Sequence, residues 1–164
     1  MKEGKCRGKC IFILETELVR ESIIAHADEN NYKELVPLAI AGGHRLVIRT
    51  PIDINLAKEM NILASDMGLP LDKILIDTDI GGLGYGLEYG YSMMEKIKLA
   101  DDEYLNQPII SFVVEETLKT KEAKSSAKYA LMAEITAASA AAAAGADYVV
   151  MKTPEALEAM KGIK

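Results

Sequence analysis

Ile74-Leu75-Ile76-Asp77-Thr78-Asp79-Ile80-Gly81-Gly82-Leu83-Gly84-Tyr85-Gly86-Leu87 holds one whole structural unit. Its first residues form a short, β-branched apolar run, too short for a helix, and read as a buried strand. A glycine-rich loop follows. Leu87, Tyr91 and Met94 then recur at helical spacing, so a helix opens near Leu87. Strand, loop and helix in that order make one β/α unit.

The same order repeats on both sides. Apolar runs at residues 11–14, 23–27, 46–48, 109–112 and 148–151 read as further strands. Residues 31–41 read as a helix, with Asn31 and Glu34 in capping-box spacing and Gly42-Gly43 at its end. Asp53 caps the next helix, which puts Leu56, Met60, Leu63 and Met67 on one face and stops at Gly68 and Pro70. An alanine-rich helix runs from about Ser126 to Ala144 and ends at Gly145. Thr153-Pro154 starts the last helix. The repeat predicts an α/β domain of parallel (β/α) units covering residues 1–164, with an irregular segment over residues 1–20. Only eight residues separate Leu14 from Ile23, too few for a helical crossover. A full (β/α)₈ barrel usually takes about 250 residues. The chain has 164, so the expectation is a partial, truncated TIM-barrel-like fold of five to six strands, or an open sheet.

Composition excludes several classes. There are 25 acidic and 19 basic residues, giving a net charge of -6, and no basic stripe interleaved with aromatics, so nucleic acid is not an expected partner. No apolar run is long enough for a membrane helix, and no small-residue cleavage site follows residues 11–14. A cytoplasmic location is expected. Cys6 and Cys10 have a metal-compatible spacer, but four-ligand sites need partners that two cysteines do not supply, so no metal is assigned. Methionines such as Met93, Met94 and Met132 read as core filling.

In parallel α/β folds, sites gather where strands end and helices begin. That rule selects His26 and Asp28, Arg49, Thr50 and Asp53, Asp77 and Asp79, Glu115 and Glu116, and Lys152 and Thr153. His44 precedes its strand and falls on the opposite end, where a structural role is expected. The loop glycines permit positive φ and close backbone approach, and the helix start offers amides, yet a wide chain reversal needs the same glycines. Asp77 and Asp79 suit acid–base work or a cation, and equally suit hydrogen bonds to their own loop. His26 as a base and Lys152 as a Schiff-base amine stand beside plainer readings as polar strand-end residues.

Longer stretches bear a resemblance. Thr50-Pro51-Ile52-Asp53-Ile54-Asn55-Leu56-Ala57-Lys58 resembles an S-P-L-D-I-N-L-A-K segment. Gly82-Leu83-Gly84-Tyr85-Gly86-Leu87-Glu88-Tyr89, then Tyr91-Ser92, resembles G-A-L-G-Y-G-[LI]-E-Y-T-Y-S. Gln107-Pro108-Ile109-Ile110-Ser111, Lys119 to Lys124, and Ala144-Gly145-Ala146-Asp147-Tyr148-Val149-Val150-Met151 continue it in order. The family is the delta subunit of acetyl-CoA decarbonylase/synthase, equivalently the small subunit of the corrinoid/iron–sulfur protein.

The resemblance implies a (β/α)₈ barrel paired with a large subunit that carries cobalamin and an iron–sulfur cluster. It implies a place in corrinoid-dependent methyl transfer for acetyl-CoA synthesis or cleavage, as in the Wood-Ljungdahl pathway and methanogenesis, with the barrel mouth facing the corrinoid. On this reading the chain binds no cofactor alone. It contributes Asp53, Asn55, Asp77, Asp79, Gly82, Gly84, Tyr85 and Gly86 to a contact with cobalamin at a partner interface, and an incomplete barrel favours a homo-oligomer. No catalytic residue is assigned; any enzymatic role is that of a methyltransferase component. The alternative is a small stand-alone barrel-type enzyme acting on a phosphorylated or pterin substrate. The sequence also departs from the family pattern. Asp79 and Ile80 replace threonines, Val114 and Leu118 replace glycine and tryptophan, the loop after Lys124 is shorter, and the first barrel strands are expected to be missing.

Overall fold

The computed structural model describes residues 21–84 and 86–161. The expected strand at residues 11–14, both cysteines and Tyr85 lie outside them. Among the described residues there are five strands: β1 (Ile23–Ala27), β2 (Arg45–Arg49), β3 (Ile74–Asp77), β4 (Ile110–Ser111) and β5 (Tyr148–Val149). The α-helices are α1 (Tyr32–Gly42), α2 (Ile54–Asp66), α3 (Leu87–Leu99), α4 (Val113–Thr117), α5 (Lys121–Ser125), α6 (Ala127–Ala143) and α7 (Pro154–Met160).

All strand pairing among the described residues is parallel. β1, β2 and β3 form one sheet in that order, and β4 and β5 form a second. One parallel bridge, Ile76 with Ile109, links β3 to the second sheet, and Ile76 donates its N–H to the Pro108 carbonyl at 2.9 Å. Pro108 has no N–H to return, so the ladder does not extend there. Strand neighbours therefore follow chain order, yet the sheets do not close, and β1 and β5 are not paired with each other among the described residues.

Side-chain alternation along the strands sets the two faces. Leu46, Ile48 and Ile74 pack with Leu35, Val36 and Ala39 of α1 and Met60 and Ala64 of α2. Ile76 and Ile109 pack with Met94 and Ile97 of α3 and Ala137, Ala138 and Ala141 of α6. On the other face Val47, Leu75 and Ile110 make a small cluster under Phe112. Small side chains let α6 lie close to its neighbours, as expected. One residue of that inward face is charged: Glu134, fully buried. Its carboxylate accepts hydrogen bonds from the N–H groups of Lys152 (2.6 Å) and Thr153 (3.0 Å) and from the Thr153 hydroxyl (3.0 Å).

Several local expectations change. The Asn31 side chain does not cap α1; it accepts from the Asp28 N–H at 2.8 Å, while Asp28 accepts from Asn30 and Asn31. The two short polar side chains close a local turn on each other, which outcompetes the capping box. Gly43 does end the helix, at φ 64°. Met67 is the last-turn cap of α2 and is exposed, because the buried stripe runs through Ala57, Met60, Asn61 and Ala64. Met132 is also exposed rather than core. The short helices α4 and α5 break the simple strand–helix repeat.

Candidate functional site

The carboxyl ends of β1, β2 and β3 converge on one polar cluster. The β2–β3 register places Arg49 beside Asp77. Both belong to the strand face opposite the helices, so their side chains meet at the mouth. Arg49 Nε donates to Asp77 Oδ2 at 2.7 Å and lies 3.4 Å from Asp79 Oδ1. Asp77 Oδ1 accepts the Asp79 N–H at 3.0 Å, bending the loop back over the strand end. Asp79 takes a left-handed φ of 47°, a strained conformation of the kind found at functional positions.

His26, at the end of β1, completes the group. Its Nε2 lies 2.8 Å from Arg49 Nη2 and 3.7 Å from Asp77 Oδ2. A guanidinium only donates, so His26 Nε2 accepts, and the ring proton sits on Nδ1. Burial first, then the neighbouring Arg49 charge, lowers the His26 pKa to about 4, so the ring is neutral at physiological pH. Burial raises the Asp77 pKa, against the pull of Arg49. Phe112 packs edge-on against His26 with centroids 4.5 Å apart, and its ring lies 5.7 Å from the Arg49 guanidinium carbon.

These side chains line a cleft of about 210 Å³ together with Ile80, Glu115, Glu116 and Lys119. Lys119 pairs with Glu116 at 2.5 Å, and Arg49 is engaged by two carboxylates. The cleft thus has no spare cation for a phosphate. No group of three potential ligands suited to a metal ion occurs among the described residues.

The expected site residues separate. Asp77 and Asp79 come together in the cleft. Asp53 caps α2, accepting from the N–H groups of Asn55 (2.8 Å) and Leu56 (3.3 Å), and Asn55 is exposed; neither lines the cleft. Gly82 is buried, and a Cβ there would lie 2.5 Å from the Thr117 amide nitrogen. Gly84 is exposed at φ 78°, and Gly86 caps α3 at φ 101°. Lys152 is exposed, and His44 is buried and accepts from the Ser22 N–H. Phe112 and Lys119 line the cleft without having been expected to. The period-two alternation of the strand at 109–112 was the available signal for Phe112, since it aligns with Ile110; Lys119 had none.

Comparison with known proteins agrees with the resemblance. Residues 14–163 match the family model described as CO dehydrogenase/acetyl-CoA synthase delta subunit. The subunit delta of the acetyl-CoA decarbonylase/synthase complex from Methanopyrus kandleri is 33% identical over 87 residues, covering 51% of this chain and 22% of that protein. Subunit delta 1 from Methanosarcina thermophila is 33% identical over 108 residues, covering 62% and 24%. Subunit delta from Methanosarcina mazei is 37% identical over 87 residues, covering 49% and 20%. In these alignments the chain spans about a fifth to a quarter of each relative's length. No helix among the described residues is long and apolar enough to cross a membrane. With a family match that covers nearly the whole chain, this protein belongs to the CO dehydrogenase/acetyl-CoA synthase delta subunit family.

Proposed function

We propose that the chain is a binding component of an acetyl-CoA decarbonylase/synthase-type assembly, its strand-end mouth resting against a corrinoid held by a partner large subunit. The observation that carries this reading is the polar cleft at the carboxyl ends of β1–β3 in a member of this family. Ligand-enclosing pockets commonly run to roughly 300–1,000 Å³. At about 210 Å³ the cleft is too small to swallow a macrocycle, which fits a face that covers a cofactor rather than one that holds it.

The corrinoid would supply a cobalt that takes up and passes on a methyl group. The residues of this chain would contribute position. Asp77 and Asp79 fix the Arg49 guanidinium, Arg49 fixes the neutral His26 ring, and Phe112 closes one side. The parallel units, neighbours in chain order, are read as an open part of a barrel. Among the described residues β1 and β5 are each paired on one side only, with Ile23 and Tyr148 about half exposed, which suits a second copy or the large subunit in a cytoplasmic complex. The test is affinity capture with tagged chain from an anaerobic extract of the source cells. A corrinoid protein, seen by its visible spectrum, should co-purify with wild type and be lost with Arg49→Ala. Capture without any corrinoid protein, or with equal recovery by the variant, refutes the reading.

A further inference from the structure

Hydrogen-bond bookkeeping in the cleft identifies a ligand group. Arg49 uses Nε on Asp77 and one Nη2 hydrogen on His26; its remaining donors have no protein partner among the described residues. His26 is held with its proton on Nδ1, on the ring edge away from Arg49, and that donor also has no partner among the described residues. On the acceptor side, the Asp79 carboxylate accepts no hydrogen bond from the described residues and is 45% exposed, its contact with Arg49 Nε being a longer ionic one. Glu115 is exposed and has no ion pair with a described residue. The cleft lining therefore offers Arg49 donors without a partner among the described residues beside carboxylate oxygens that can still accept hydrogen bonds.

Charge narrows the choice. A phosphate or carboxylate would meet Asp79, Glu115 and Glu116. An ammonium ion would meet the guanidinium of Arg49, with His26 and Phe112 packed around it. A neutral group with a carbonyl oxygen beside an N–H satisfies both the Arg49 donors and the carboxylates without an unpaired charge. We propose that this cleft binds a primary carboxamide, the carbonyl oxygen accepting from Arg49 and the NH₂ donating to Asp79 and Glu115, with the His26 ring held alongside by its bond to Arg49. The assignment deepens the reading of the mouth as a contact face and rests on it for the source of the amide: an amide on the rim of a bound cofactor, or an Asn or Gln side chain of a partner.

The test uses the isolated full chain with ¹⁵N-labelled histidine, titrated with propionamide, N,N-dimethylpropionamide, propionate and propylammonium. Propionamide should shift the His26 ring resonances saturably and preserve the Nδ1–H tautomer. Dimethylation removes both donors and should weaken binding by at least about tenfold, the value of a single hydrogen bond to a charged acceptor. Asp79→Asn should weaken propionamide binding while its thermal midpoint stays near wild type. Equal or stronger binding of propionate or of propylammonium overturns the proposal, as does no response to propionamide at its solubility limit. A corrinoid bearing free carboxamides and a Gly-Gln-Gly peptide, compared in the same assay, then distinguish the two sources by which competes better with propionamide. If propionamide binds but capture recovers no corrinoid protein, the carboxamide site stands and the family role falls.

Discussion

Glu134 is expected to hold the carboxyl-terminal unit in place. It is the one charged side chain on the buried face of α6, and its carboxylate is the acceptor for two backbone N–H groups and a hydroxyl. Thr153 serves twice, donating its hydroxyl to Glu134 and accepting from the Ala156 N–H at 3.4 Å as the α7 cap. Glu134→Ala removes a buried charged acceptor and leaves three donors and a void. Hydrogen bonds to charged groups are worth about 1.5–3 kcal/mol each, and a buried donor left unsatisfied costs about 1–3 kcal/mol. Lys152 is exposed, so water recovers part of that loss, and about 3–4 kcal/mol is expected. Glu134→Gln keeps the shape and one oxygen able to accept from both N–H groups. The Thr153 hydroxyl can rotate to accept from the new amide, so the cost should be only about 1 kcal/mol. Urea unfolding monitored by circular dichroism reads both values. With a slope of about 2 kcal/mol per molar, Glu134→Ala moves the midpoint down by about 1.5–2 M and Glu134→Gln by about 0.5 M. Equal losses for the two variants, or a loss below about 1 kcal/mol for alanine, would refute the reasoning.

Gly82→Ala should destabilise by about 1–3 kcal/mol, because its Cβ meets the Glu116–Thr117 backbone rather than a movable side-chain tip. Gly84→Ala, with open space at φ 78°, should cost only about 1 kcal/mol of backbone strain, and paired thermal melts decide between them. The lowered His26 pKa means that between pH 6.5 and about 4 the unfolded chain binds a proton the folded chain refuses. Its contribution to stability is therefore present above pH 6.5 and lost as pH falls toward 4. Asp77, whose pKa is raised, acts the other way on acidification, so the measurement is the difference in acid unfolding between wild type and His26→Gln; the variant should have the shallower loss. Sedimentation velocity at micromolar concentration should show self-association through the sheet edges left unpaired among the described residues, and a compact monomer would speak against it.

The strands were legible because each is a short apolar run bounded by turn residues, and the five runs from Ile23 onward all became strands. Asp53 and Thr153 were legible as caps because a cap is a local device that only needs its own next turn. Asn31 was misread for the converse reason: a second short polar residue, Asp28, offered a competing local bond. The division into two sheets was hidden because it depends on how far β4 and β5 extend, and Pro108 limits that through its missing N–H. For the site, the strand-end rule gathered His26, Arg49, Asp77 and Asp79 without knowing that they touch. What it lacked was register. Only the pairing of Arg49 with Asp77 turns four separate strand ends into one cluster, and register is a property of two segments together. Glu134 was invisible because an isolated acid in an alanine-rich helix gives no periodic signal of which way it faces.

Gly90 ties the family departures to the site. The resembled segment carries threonine at this place in α3 and threonines where Asp79 and Ile80 stand. Here a Cβ on residue 90 would lie 1.8 Å from Ile80 Cγ2 and 2.4 Å from Ile80 Cβ. The second distance involves the first side-chain atom, so no rotamer of Ile80 relieves it; the β3–α3 loop itself descends onto α3 where residue 90 has no side chain. Ile80 is 5% exposed there, and its chain neighbour Asp79 is carried over Arg49. In an ordinary helix interior, Gly→Ala gains about 1 kcal/mol. Gly90→Ala should instead cost about 1–3 kcal/mol, because the loop must lift. Lifting the loop also draws Asp79 away from Arg49, so the His26 ring resonances should move, although residue 90 does not line the cleft. An Ile80→Ala background removes the 1.8 Å contact and keeps the 2.4 Å one, so it should relieve the cost only in part. A Gly90→Ala protein that is more stable than wild type, with unchanged His26 resonances, would show that the loop does not depend on the glycine and that Asp79 is placed by its own backbone alone.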